Sequence, residues 1–574
     1  MIGLEPYLTK LYKKNPDIKT LVASFRRPVP ENLVYYRRLY RELRLIIKNN
    51  FAKCFLQVMD ILEITEGIPH IIRGSSGSSL TCYLLGITSF DPIVYNISLA
   101  RFMNSKRKGL PDIDIDFPYN KRDYIFQKIY EKWGNKVARI SNHNMYHERS
   151  ALREAIRDEG FRKRLPKYFS MNKLFEPETA KAIKEKKEDL IGTFRCYSLH
   201  CGGVVIFDEE IPQEMLLKDT QLKLNKDDVE NEGFIKIDIL SNRGLAQLFS
   251  ISSTPLNEYP RNDLGTMKTL IYGDNIGLTF AESPGMRKLF LKYQPKNVDE
   301  IAKCLALIRP SASHSYHGHK EKALIYDDDA IQYIQEILDC DEGTADQYRK
   351  AFSKNKRREK EEFIKLIEHK PNKKDIIENL NNLRYYSFCK SHAYSYAQLV
   401  WALAYNKTHN PREFILGTLN HTCSMYRTWV HMCEAKRYGL EPTIGKRPWK
   451  IVKDKLVSRS SFSVIVKSEP WAEYKKYGYW TSREFLPGMY YKKQNNKVFF
   501  RGLIAAYRTY KGKTLFVTLG YDNGKYIDIA IKKKTAVSKR DIIEGEGYYS
   551  GFMVNATKFV IAYNKMPNHN QGQV

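Results

Sequence analysis

Residues 110–117 read LPDIDIDF, so Asp112, Asp114 and Asp116 alternate with Ile113, Ile115 and Phe117. Strict alternation marks a β-strand with one face turned to a core. Alternate side chains on a strand share a face and lie about 6.5–7 Å apart along it. Three carboxylates on one face repel each other unless something neutralises them, and a divalent cation is the natural partner. Hard oxygen ligands suit Mg²⁺ or Mn²⁺. Two such ions about 3.5–4 Å apart can serve both the attacking and the leaving oxygen of a phosphoryl transfer. The competing reading is an acidic edge strand that resists aggregation. A further carboxylate, Asp238, sits among apolar neighbours in Phe234-Ile235-Lys236-Ile237-Asp238-Ile239. It needs a reason to be there, because an unpaired buried charge is costly.

Charge narrows the function class. Lys and Arg number 94 against 65 Asp and Glu, a formal net charge of +29 over 574 residues. That excess points to a polyanion, most commonly nucleic acid. The length allows roughly three to five domains of about 100–200 residues. Tyrosines stand beside lysines in Tyr474-Lys475-Lys476-Tyr477 and Tyr490-Tyr491-Lys492-Lys493, a pairing suited to base stacking next to phosphate contacts but also to the edge of a core. The nine cysteines are scattered, with no CxxC pair, which argues against a zinc site or a disulfide framework. The start, MIGLEPYLTKLYKK, has no signal-peptide core, and no run of 18 apolar residues occurs. A cytoplasmic protein without a membrane partner is expected.

Arg73-Gly74-Ser75-Ser76-Gly77-Ser78-Ser79 precedes an apolar helical stretch, Leu80 to Gly86. Glycine lets a backbone approach a ligand closely, and hydroxyls with free amides at a helix N-terminus form an anion site. Arg73 adds a charge-assisted donor for phosphate. Many such turns only cap a helix, but this one lies upstream of the acidic strand. Residues 35–66 read as helix, 202–207 (GGVVIF) and 233–240 (GFIKIDIL) as strands of one sheet, and 255–440 as mostly helical.

These motifs resemble, in one order over residues 35–440, the alpha subunit of bacterial DNA polymerase III, the C family. Residues 68–92 look like its glycine-rich palm motif, and 110–117 are similar to its "PDxDxDF" signature. The resemblance implies that Asp112 and Asp114 are catalytic metal ligands and that Asp116 is structural. Residues 151–158 resemble the "AxKxxIRD" helix, with Arg153 and Arg157 in its basic positions. His200 to Ile206 looks like "HAGGVVI", and 236–243 resembles "KxDxLGLR". This makes Asp238 the third catalytic aspartate, with Lys236 facing the site and Arg243 in the matching arginine position. Glu282 to Met286, Ala306 to Pro310, Ala345 to Lys350 and Phe388 to Ala393 are similar to "ExxGM", "ALxRP", "ADxxRR" and "FNKSHA". By resemblance, Arg309, Lys390, Ser391 and His392 join Arg73, Gly74, Ser75, Ser76 and Lys236 around an incoming nucleotide. Arg153, Arg157, Arg243, Arg349 and Lys350 would contact DNA. On their own residues, Lys390 to His392 could equally be a helix cap and Arg309 an ordinary loop arginine.

The pattern also departs from the family. The palm begins almost at residue 1, where a metal-binding PHP domain is usual, and Ser241 and Ser311 replace glycines. No exonuclease constellation is visible, so proofreading by this chain is not expected. No clear clamp-binding peptide occurs, and Gln247-Leu248-Phe249 falls in an expected palm helix. Residues 497–565 read as short strands with a turn at Asn523-Gly524, which suits a five-stranded Greek-key barrel resembling an OB-fold. Arg501, Arg508, Lys511, Lys513 and Lys532-Lys533-Lys534 could hold single-stranded template there, or be solvated lysines and arginines of a structural barrel.

The expected fold is α+β and multidomain. A polymerase-beta-like nucleotidyltransferase palm spans 1–145 and 199–250, and a helical thumb spans 146–198. Fingers at 251–440, a linker at 441–496, an OB-fold at 497–565 and a flexible tail at 566–574 complete it. The expected function is template-directed extension of a primer 3′-hydroxyl with dNTPs, using two Mg²⁺ or Mn²⁺ ions. The expected state is a monomer, in the cytoplasm of a bacterial host if the stripped architecture marks a phage or mobile-element replicase. A primase-like or template-independent nucleotidyltransferase, and a non-catalytic DNA-binding relic, are the rival readings.

Overall fold

The computed structural model describes residues 5–106, 113–163, 165, 169–218, 220–385, 387–421, 424–458, 469–510, 514–531, 537, 541–551 and 553–562. Asp112, Lys511, Lys513, Lys532, Lys533, Lys534 and the 566–574 tail lie outside these residues.

The first sheet contains β1 (Ile71–Arg73), β2 (Ile113–Pro118), β3 (Val137–Met145), β4 (Phe194–Ile206), β5 (Leu216–Lys218), β6 (Gln221–Leu222) and β7 (Lys236–Asn242). Their order is β1-β2-β7-β4-β3-β6-β5. The alternation in β2 and β7 decides which face is covered. Ile113, Ile115, Ile237 and Ile239 are at most 1% exposed. They share a core with residues of the helices Leu33–Lys48, Ala52–Ile64 and Arg122–Trp133. The expected helix over 35–66 is thus two helices, broken at Asn49 to Phe51, where Asn50 takes a positive φ of 55°.

Two helices, Glu148–Asp158 and Pro177–Leu190, stand between β3 and β4 and form their own small core around Ile156 and Ile183. A helical body follows from Leu264 to Arg437. At its centre lies Lys390–His409, a 20-residue helix that buries residues on every side, Trp401 and Leu403 among them. Apolar residues all round a helix are the mark of a core position.

The stretch expected to be a linker, 441–496, carries regular structure. It holds a small sheet of β8 (Glu441–Pro442), β9 (Trp449–Val452) and β10 (Lys455–Ser458), then the helix Pro470–Tyr477. Strands of two to four residues are too short to show a period, which is why sequence missed them.

The last sheet has β11 (Tyr490–Gln494), β12 (Lys497–Tyr510), β13 (Thr514–Asp522), β14 (Lys525–Ile531), β15 (Ile542–Tyr549) and β16 (Val554–Ala562). β12 pairs with both β13 and β15, closing a five-stranded barrel in the order β12-β13-β14-β16-β15, with β14 and β16 parallel. This is the expected OB-fold, and the whole chain has the expected α+β multidomain character. The barrel is docked by aromatic packing. Trp429 of the helical body packs against Tyr526 of β14 with ring centres 6.3 Å apart. A Cβ on Gly520 of β13 would come within 2.5 Å of the Trp429 ring.

Candidate active site

Register assembles the site. Arg73 pairs with Asp114 across β1 and β2, Asp114 with Asp238 across β2 and β7, and Asp238 with Gly203 across β7 and β4. Directly opposed residues share a face, and adjacent strands lie about 4.8 Å apart. Asp114 and Asp238 therefore stand side by side on the face away from the isoleucine core. Lys236, two residues from Asp238 on the same face, places its ammonium 2.5 Å from Asp238 Oδ2. Asp238 is only 8% exposed, and its Oδ1 accepts no hydrogen bond among the described residues. His200 Nδ1 lies 3.7 Å from that oxygen and accepts hydrogen bonds from the amides of Gly202 and Gly203. Burial lowers the His200 pKa, with Asp238 pulling the other way.

A buried carboxylate oxygen without a donor, beside a second carboxylate, is a hard-oxygen donor set that fits a divalent cation. Among the described residues no group of three His, Cys, Asp or Glu side chains gathers as a metal site; the expected third ligand, Asp112, lies outside them. Gly74 borders the pair. It has a φ of +78°, and a Cβ there would lie 3.7 Å from Asp114 Oδ2. A side chain at this position would be strained by the positive φ.

Asp116 is fully buried and engaged by protein groups. Arg73 Nη2 sits 3.0 Å from its Oδ1, while Asn242 Nδ2 and Tyr396 Oη donate to Oδ2 at 2.8 and 3.0 Å. Burial raises its pKa, opposed by Arg73, Asn242 and Tyr396. This carboxylate ties β1, β2, the end of β7 and the central helix together. Arg73, read as a phosphate donor, is thus also the counter-ion of Asp116, with 35% of its side chain exposed.

The glycine-serine turn meets the Lys390–Ser391–His392 segment directly. Ser391 Oγ donates to the Gly74 carbonyl at 2.7 Å, and a Cβ on Gly77 would lie 3.2 Å from Ser391 Cβ. Ser76 is buried, and its Oγ has no hydrogen-bond partner among the described residues. Ser75 precedes the short 3-10 turn Ser76–Ser78, and its carbonyl accepts from Ser78. One expectation is corrected here. The amides at the start of the helix Leu80–Leu84 do not form an open anion site. Buried Glu42 accepts from Leu80 N at 2.8 Å and Thr81 N at 2.9 Å, and Arg38 pairs with it at 2.7 Å. An internal carboxylate already fills that N-terminus.

His392 packs its ring on Phe388 and Tyr396 at 4.4 and 4.6 Å. Burial pushes its pKa down to about 3, helped by Arg73, Arg101 and Arg309. It is a neutral imidazole at physiological pH, surrounded by cations. Arg309 lies over the Phe388 ring at 4.9 Å. The Lys390 amide donates to Asp328 at 2.7 Å, and its ammonium to the Asn96 carbonyl at 3.0 Å.

The expected DNA contacts divide. Arg153 and Arg157 are exposed on the inserted helix Glu148–Asp158. Exposed Arg243 lies 5.6 Å over the ring of Tyr119. Arg349 is buried, with its guanidinium committed to Asp327 at 2.7 Å and Asp346 at 2.8 Å. Its environment is that of a structural ion-pair network rather than a DNA-facing surface, which corrects the expectation. Lys350 pairs with Asp346 at 2.8 Å and stays 37% exposed. Arg501 pairs with Glu544 across β12 and β15 at 2.8 Å, and Arg508 is exposed. Sequence reading assigned no role to Asn242, Tyr396 or Glu42. A polar residue closing a core strand was the only hint for Asn242.

Comparison with known proteins gives the family. The model described as "Bacterial DNA polymerase III alpha NTPase domain" matches residues 7–241, and "Bacterial DNA polymerase III alpha subunit finger domain" matches 245–322. Together they take in more than half of the chain. The chain is similar to DNA polymerase III subunit alpha of Ureaplasma parvum serovar 3, with 27% identity over 477 residues, covering 71% of this chain and 49% of the relative. It is similar to DNA polymerase III subunit alpha of Staphylococcus aureus strain Mu50, with 27% identity over 503 residues, covering 75% and 47%. The chain spans about half the length of the curated relatives it matches. With both models matched in sequence order, this chain belongs to the bacterial DNA polymerase III alpha, or C, family of polymerases.

Proposed function

We propose that the chain is a template-directed DNA polymerase that extends a primer 3′-hydroxyl with dNTPs. The observation that carries this reading is the side-by-side placement of Asp114 and Asp238, with Lys236 paired to Asp238. In the reaction the 3′-oxygen bonds to the α-phosphorus, the bond to pyrophosphate breaks, and the hydroxyl proton passes to solvent. Two Mg²⁺ or Mn²⁺ ions, held by Asp112, Asp114 and Asp238, would supply activation of the hydroxyl and stabilisation of the leaving oxygen.

The rest is positioning and electrostatics. Arg73, Arg309 and Lys390 offset triphosphate charge. Neutral His392 can donate a hydrogen bond without adding charge. Gly74, Ser75 and Ser76 let the chain approach the phosphates closely, and Ser391 fixes that turn by its bond to Gly74. In domain terms, 1–145 and 199–250 act as palm, 146–198 as thumb and 251–440 as fingers, with 441–496 leading to an OB-fold that binds single-stranded template. Primer-template DNA and dNTPs are the partners proposed. Among the described residues no helix is long and apolar enough to cross a membrane.

The test is primer extension on gels, with and without template and with each dNTP singly. Incorporation only of the complementary nucleotide, and only with template, supports the proposal. Template-independent addition supports the other nucleotidyltransferase reading. No Mg²⁺- or Mn²⁺-dependent incorporation at all would leave a DNA-binding relic.

A further inference from the structure

Phe280 stands out near the site and has no part in the ligand set above. It lies in the 275–283 segment between the helices Leu264–Ile271 and Pro284–Tyr293. Its φ is +72°, a left-handed conformation that bulky side chains rarely adopt. The segment is pinned from several directions. Gln247, fully buried, donates to the Gly277 carbonyl at 2.9 Å and accepts from Thr279 Oγ1 at 2.6 Å. Asn275 Nδ2 donates to the Ala281 carbonyl at 2.5 Å. Strain of this kind persists where the surroundings over-determine it, and it concentrates at functional sites.

What the pinned segment fixes is the orientation of a ring. Phe280 stacks on Tyr396 with centres 4.2 Å apart and planes 10° from parallel. Its edge meets Gly244, where a Cβ would lie 3.2 Å from Phe280 Cε2. Leu278 and Ala281 are fully buried, yet Phe280 is 39% exposed. Tyr396 covers one face, so the exposure belongs to the other face and the free edge. Tyr396 in turn donates to Asp116, two residues along β2 from Asp114. Exposed Arg243 and Tyr119 stand at the same ends of β7 and β2.

We infer that Phe280 is a base-stacking residue: its open face receives the nucleobases of the pair being formed. This deepens the polymerase reading and rests on it. A flat apolar ring accepts any base, because every base has a π-face. The contact would therefore position the pair without selecting its sequence.

The test uses the full chain with a dideoxy-terminated primer, 2-aminopurine at the templating position and dTTP. Wild type is expected to quench the fluorescence. Phe280→Tyr should quench as wild type, and Phe280→Gly should not. Glycine tolerates the positive φ, so this variant is expected to keep its melting temperature. In primer extension Phe280→Gly should raise the KM for dNTPs by about tenfold with kcat within about threefold, and Phe280→Tyr should restore the KM. Equal quenching and KM in wild type and Phe280→Gly would overturn the inference. So would a Phe280→Tyr variant as impaired as Phe280→Gly, which would mark a packing role. A wild-type chain that extends no primer would refute the polymerase reading instead, and the quenching measurement does not depend on turnover.

Discussion

Asp114 and Asp238 are direct partners across the parallel β2–β7 ladder although 123 positions separate them in the chain. The pairing puts two carboxylates one strand spacing apart above a core of isoleucines. Only a strong positive neighbour makes that tolerable, and Lys236 supplies part of it.

The third carboxylate has a different fate, and it can be tested by stability. Asp116 depends on Arg73 for charge and on Asn242 and Tyr396 for hydrogen bonds. Arg73→Met leaves a buried carboxylate without its counter-ion. The expected loss is about 3 kcal/mol, the low end for a buried pair because a third of the arginine side chain reaches water. Denaturant unfolding measures it, and Arg73→Met combined with Asp116→Asn should recover part of the loss.

Lys407 is the buried anchor of the helical body. It lies 2.6 Å from Asp274 and 3.1 Å from Glu434, with 1% of its side chain exposed. Lys407→Met is expected to cost about 3–5 kcal/mol by stranding those carboxylates. Lys407→Met with Glu434→Gln should be less damaging than the single change, as thermal melts will show.

Acid should loosen the fold before carboxylates titrate. His431 is 5% exposed, and neither ring nitrogen has a hydrogen-bond partner among the described residues. Burial, then the charge of Lys407, pushes its pKa down to about 4. Between that value and the ordinary histidine pKa of about 6.5, the unfolded chain binds a proton that the folded chain excludes. Stability is therefore full above about pH 6.5 and falls on acidification, by up to about 1.4 kcal/mol per pH unit for this group. His431→Leu should flatten the melting-temperature profile between pH 6.5 and 5.

Exposed Arg153 and Arg157 project from the helix between β3 and β4. If they neutralise phosphates, each alanine substitution should weaken primer-template binding and lower the log–log salt slope by about 1, irrespective of sequence. Arg349→Ala should instead lower stability, because its partners are Asp327 and Asp346.

The alternation in LPDIDIDF and the apolar frame of Asp238 were enough to read the strands and their carboxylate face. The order of motifs carried the family, and the Asn523-Gly524 turn with its flanking strands carried the barrel. Long-range pairing was not legible. Nothing local tells that Ser391 bonds to Gly74, or that Glu42 occupies the start of the Leu80–Leu84 helix. Arg349 looked like a DNA contact because a basic motif gives charge but not depth, and burial is decided by packing with Asp327 in another helix's approach. Phe280 escaped notice because a positive φ at a non-glycine residue leaves no mark in sequence.

Primer extension by Asp114→Asn and Asp238→Asn, beside wild type and with primer-template affinity measured in parallel, tests the shared carboxylate site most directly. Each change keeps the side-chain shape and removes the charge. The expected result is incorporation below about 1% of wild type in Mg²⁺ and Mn²⁺ alike, with DNA binding retained. Incorporation near the wild-type rate in either variant would mean that the chemistry is performed elsewhere on the chain.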